Sequence, residues 1–144
     1  MLAAALVLTG LAGCVATGPQ PEEAIPPALL DSDLGILEAE AGDSVDGFSV
    51  NVWASFLVER DEVTADELRE VLRLVVENTH ITNVNAISII GQSDELETVA
   101  GFESNVNLDL VPVAAELGLP DADDGRGTIK IDWKDVVAML EETA

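Results

Sequence analysis

Phe48-Ser49-Val50-Asn51-Val52-Trp53-Ala54-Ser55-Phe56-Leu57-Val58 is the stretch that decides the fold class. Its even positions are apolar (Phe48, Val50, Val52, Ala54, Phe56, Val58), and the odd ones begin Ser49, Asn51, Trp53, Ser55. Period two over that length specifies a strand with one face on a core. Downstream, Thr64-Ala65-Asp66-Glu67 has the Thr-x-x-Glu form of a capping box, in which two side chains satisfy free N–H groups of a first helical turn. Leu68, Val71, Leu72 and Val75 follow at helical spacing, and the helix is expected to run to about Asn78. A second strand is expected over 84–91, Gln92 to Glu95 forms a turn, and a weaker strand lies somewhere in 96–107.

Leu110, Val113, Ala114 and Leu117 announce a second helix, with Pro112 in its first turn and Gly118 to end it. A turn at 121–127 leads to a short strand over 128–131. Asp132 caps a last helix facing inward with Trp133, Val136, Val137 and Leu140. Strand, helix, strand, weak strand, helix, strand, then an appended helix: the order fits an α+β fold, a small ferredoxin-like βαββαβ sandwich with helices on one face of the sheet. The weak strand is the soft point of this assignment.

Around this core the whole-chain numbers set bounds. The chain has 144 residues, 48% of them hydrophobic, about one domain's worth. Twenty-eight Asp and Glu against six Lys and Arg give a net charge of −22. Such a surface repels nucleic-acid phosphates and anionic headgroups, so no nucleic-acid partner is expected. The hydrophobic content excludes wholesale disorder, and a single cysteine excludes an intrachain disulfide framework.

The first thirteen residues carry no charged side chain and contain the apolar run Leu2-Ala3-Ala4-Ala5-Leu6-Val7-Leu8. At roughly ten apolar residues it falls short of the ~20 that cross a bilayer, so it reads as the apolar core of a signal peptide. It ends in Leu11-Ala12-Gly13-Cys14, and these four residues resemble the lipobox of bacterial lipoproteins. The departure from that pattern is that only the terminal amine supplies positive charge ahead of the apolar run. The resemblance implies cleavage after Gly13, diacylglycerol on Cys14, and a place on the outer face of a bacterial cell membrane. Two acyl chains anchor a soluble domain stably without a membrane-spanning helix.

After Cys14, four prolines fall between Pro19 and Pro27, which argues against a regular helix. Residues 14–44 are therefore expected to be a Pro- and acid-rich tether holding the domain off the membrane at roughly 3 Å per residue, with one short strand or turn contributed between Ala28 and Gly47. The single domain is expected to occupy 45–144.

The chemical inventory is thin. There is no nucleophile elbow, zinc-protease helix, phosphate loop or dinucleotide fingerprint, so no enzyme activity and no cofactor are expected. His80, the lone histidine, follows the first predicted helix, where an imidazolium suits the C-terminal dipole. Asp121, Asp123 and Asp124 are weak metal candidates. If Gly125 held the sixth position of a calcium loop, positions one and three would be Pro120 and Ala122, which are not ligands. A solvated turn is the better reading. Asn78, Asn83, Asn85, Asn105 and Asn107 gather at one end of the expected sheet, as loop residues or as the lining of a polar groove. Trp53 falls on the polar face of the first strand, either covered or kept as a partner contact.

The expectation is a membrane-anchored extracytoplasmic lipoprotein, a non-enzymatic interaction or accessory module held to the membrane through Cys14 and serving an unknown protein partner. The alternative is a cation- or small-ligand-binding lipoprotein using residues 121–124. A hydrolase working with carboxylates alone is permitted but nowhere indicated.

Overall fold

The computed structural model describes residues 18–119 and 127–142. Among these the elements run α1 (Pro21–Leu30), β1 (Ile36–Asp46), β2 (Ser49–Val58), α2 (Ala65–Glu77), β3 (Val84–Val99), β4 (Phe102–Asn107), α3 (Val111–Glu116), β5 (Ile129–Asp132) and α4 (Trp133–Glu142). It is an α+β fold with one mixed sheet.

β1 and β2 form an antiparallel hairpin closed by residues 47–48, where Gly47 takes φ +64, the left-handed first position that a tight II′ turn reserves for glycine. β2, α2 and β3 make a βαβ unit whose two strands lie side by side and parallel, Val52 opposite Ile87 and Ala54 opposite Ile89. β3 is long, and its other edge is shared. Its first half pairs antiparallel with β5 (Ile87 with Ile131), and from Gln92 onward it pairs antiparallel with β4. The β3–β4 turn places Ala100 at φ 52 and Gly101 at φ 84, the two positive values that a I′ hairpin needs.

Only one face of this sheet is dry. Val52, Ala54, Phe56 and Val58 of β2 join Ile87 and Ile89 of β3 and Ile129 and Ile131 of β5, and against them pack Leu68, Val71, Leu72 and Val75 of α2. Ile25 and Leu29 from α1, Leu110 and Ala114 at α3, and Val136 and Met139 from α4 complete the cluster. Among the described residues every helix contributes to this side.

The α2 capping box forms as the sequence predicts: Glu67 N–H donates to Thr64 Oγ1 at 3.2 Å, and Thr64 N–H donates to Glu67 Oε2 at 2.9 Å. α3 ends in a Schellman motif, with Leu119 N–H donating to Ala114 O and Gly118 N–H to Ala115 O while Gly118 sits at φ +75.

Four expectations are corrected. The ferredoxin-like order is matched only in part: helices cover one face, but that fold splits its parallel pair with an intervening strand, whereas β2 and β3 are direct neighbours and β1, from outside the expected core, takes the edge beside β2. The tether expected over 14–44 is, from Pro21 onward, part of the folded unit. α1 forms despite Pro26 and Pro27, with Pro21 in its first turn, because burial of Ile25 and Leu29 at 0% exposure outweighs two lost backbone bonds. The expected turn at Gln92 is instead a register irregularity within β3, which continues to Val99. Phe48, expected to face the core, is the second turn residue and is fully exposed. The soft third strand exists, as β4.

Candidate functional site

Two surfaces stand apart from the core: the uncovered sheet face and the hairpin β3–β4. On the sheet face, register aligns Gly42, Trp53, Ser88 and Lys130 in one row across β1, β2, β3 and β5. A neighbouring row holds Glu40, Ser55 and Ile90. These residues alternate with the core set, so the pleat turns them outward. Trp53 is half-buried because its indole lies over Gly42: a Cβ there would come within 2.9 Å of Nε1, Cε2 and Cζ2. The glycine is a seat for the ring. Asn51, two residues earlier on the same face, has a buried Oδ1 with no protein hydrogen-bond partner. Trp53 is thus neither in the core nor fully exposed.

The hairpin carries the more exposed apolar surface. Every residue from Asp94 to Val99 is exposed, as are Phe102 and Glu103. Leu96, Val99 and Phe102 remain 62%, 57% and 77% exposed. Val99 and Phe102 are directly paired and share a face, while Leu96 sits opposite Asn105 on the other. A two-stranded ribbon is marginal by itself. This one is held by its continuity with the sheet, through Leu108 N–H donating to Gly91 O at 2.8 Å and Gln92 Nε2 to Asn107 Oδ1 at 3.2 Å. Its charges, Asp94, Glu95, Glu97 and Glu103, are all acidic.

A third feature is a groove of about 560 Å³ between α2 and α4, floored by Val76, Val137 and Leu140. Both arginines on its rim are committed. Arg69 Nη1 meets Asp66 Oδ1 at 2.5 Å, and Arg73 is held between Glu70 and Glu77. The Arg73 guanidinium beside it, donating hydrogen bonds, keeps the Glu70 carboxyl below its ordinary value, and the two glutamates raise Arg73 in turn. With its cations paired, this groove has no positive charge to spare for an anionic ligand, and it reads as a salt-bridged seam between helices.

The remaining candidates separate. Cys14 and the loop of Asp121, Asp123 and Asp124 lie outside the described residues. His80 sits beyond α2 with its ring against Gly18, where an added Cβ would fall 2.9 Å from Cγ. The asparagines do not gather at one end. Asn78 caps the C-terminus of α2 through Nδ2 to Leu74 O, and Asn83 takes φ 63 beside the start of β3. Asn105 and Asn107 lie opposite Leu96 and Gln92, in the far half of that strand. Among the described residues no group of three or more His, Cys, Asp and Glu is placed to hold a metal ion. The apolar tip of the β3–β4 hairpin was not foreseen, and its signal is Ala100-Gly101 set between Leu96, Val99 and Phe102, a turn dipeptide flanked by strand formers. No protein-family model, curated protein or solved structure matches the chain.

Proposed function

We propose that this chain is a lipid-anchored extracytoplasmic lipoprotein that acts as a non-enzymatic interaction module, held at Cys14 and offering hairpin β3–β4 to a protein partner. The observation that carries the interaction half is the ribbon itself, with Leu96, Val99 and Phe102 kept in water on a chain of net charge −22. Exposed apolar side chains on an acidic ribbon suit a partner that presents an apolar pocket rimmed by Lys or Arg. The anchor half rests on Leu11-Ala12-Gly13-Cys14. No helix among the described residues is long and apolar enough to cross a membrane.

Both halves are open to test in cells. Cys14→Ser should move the protein from the membrane to the soluble fraction, and equal retention of the variant would sink the anchor. A photo-crosslinking residue at position 102 should yield a discrete protein adduct whose yield drops in Leu96→Ser and with rising salt. An adduct pattern no different from that of a probe at Glu116, an exposed position in α3, would sink the hairpin as the contact.

A further inference from the structure

We infer that the β1–β2 hairpin tip, Phe48 with Val45, is a second membrane contact that seats the domain on the bilayer beside its lipid anchor; this rests on the anchor proposed above. Gly18 packs on His80, which lies between the end of α2 and the start of β3. That start pairs with the start of β2, Val50 opposite Val84, and the 47–48 turn immediately precedes β2. α1 then carries the chain away from this end, since β1 begins at Ile36 opposite Val58, at the finish of β2. The entry point and the Phe48 tip therefore occupy the same end of the sheet.

Chain length makes this proximity consequential. Four residue steps separate Cys14 from Gly18, a reach of at most about 14 Å. With the expected tether folded into α1, a lipid on Cys14 holds this end close to the headgroups. Phe48 is fully exposed and Val45 is 67% exposed. Aromatic and aliphatic side chains at such a depth gain by entering the acyl boundary.

The tip and the strand leading from it are locally uncharged. Residues 47–58 contain no charged side chain and residues 78–93 no acidic one, and these stretches form the anchor end and the strands leading from it. The opposite end holds Asp31, Asp33, Glu59, Asp61 and Glu62, beyond which the β3–β4 ribbon adds its own acids. Glu22, Glu23, Asp46, Glu77, Asp132 and Asp135 remain at the anchor end, so a zwitterionic surface suits it better than an anionic one.

The experiment uses the lipidated protein in phosphatidylcholine vesicles. Cys14 is the only native cysteine, and lipid would consume its thiol. Phe48→Cys and, separately, Val45→Cys and Leu96→Cys are labelled with an environment-sensitive fluorophore, and quenching by lipids carrying a spin label on the acyl chain is read. The probes at 48 and 45 should lose most of their emission and the probe at 96 almost none. Equal, weak quenching at all three positions in protein that floats with the vesicles overturns this inference and leaves the anchor standing. A blue shift at 48 that depends on protein concentration and not on the quencher also overturns it, by assigning the tip to a second copy. Failure of the lipid-processed protein to float removes the anchor and this inference together.

Discussion

A Cβ at Gly42 would lie 2.9 Å from three atoms of the Trp53 indole, closer than van der Waals packing tolerates, so Gly42→Ala must displace either the ring or the strand. Gly42 does not take a positive φ, so the alanine backbone is unstrained and the collision alone is tested. The ring should move outward, at a cost of about 1–3 kcal/mol from overpacking. In a Trp133→Phe background, Trp53 emission should shift to the red, and an unchanged spectrum would show that the indole does not rest on Gly42. The α2 N-terminus offers a second residue-scale test. Thr64→Ala deletes one arm of the reciprocal cap and should cost about 1 kcal/mol, lowering Tm by roughly 4–8 °C for a domain near 100 residues. An unaltered melting temperature would mean that the cap is not formed in solution. These two sites differ in how far sequence exposes them. Thr64 and Glu67 are three apart and their chemistry is local, whereas Gly42 and Trp53 meet only once β1 and β2 are in register.

That same division, local pattern against tertiary compensation, explains which elements the sequence discloses. β2 and α2 are legible because each buries one clean face at its own period, and burial alternates along β2 residue by residue. β1 is not, since its core side offers Ala39 and Ala41 among Glu38, Glu40 and Asp43, a composition with low strand preference that is nonetheless paired along its length and carries the charges that blunt an exposed edge. α1 is hidden by its prolines. Local rules count Pro26 and Pro27 as two missing donors, and only the fold supplies the burial of Ile25 and Leu29 that offsets them. The prediction that separates helix from tether is therefore Ile25→Ala. In a tether it is silent; in the core it should cost about 2–5 kcal/mol, read as a lowered denaturant midpoint. A midpoint within error of the parent would return residues 21–30 to the status of a linker.

At the scale of the whole molecule, charge is the dominant asymmetry, and its effect on stability has a definite sign. Salt weakens both attraction and repulsion, so the two must be weighed. Among the described residues, Arg60, Arg69 and Arg73 make the ion pairs, with Glu67, Asp66, Glu70 and Glu77, each at least partly exposed and worth about 0–1 kcal/mol. Against them stands a net charge of −22 spread over one domain. Its mutual repulsion fades as the Debye length contracts from ~10 Å at 0.1 M to ~3 Å at 1 M salt. Repulsion among so many unpaired carboxylates outweighs three paired arginines, so Tm should rise with salt, by about 4 °C for each kcal/mol recovered. Measured on the Cys14→Ser form, sodium and calcium should act alike at matched ionic strength if the effect is screening alone. A calcium site built on Asp121, Asp123 and Asp124 would instead add a saturable increment at sub-millimolar calcium, which Asp123→Asn would remove. A Tm that falls with sodium chloride would mean that the paired arginines, not the excess carboxylates, set the electrostatic balance. The calcium increment, if lost in Asp123→Asn, would replace the interaction module with a cation-binding lipoprotein.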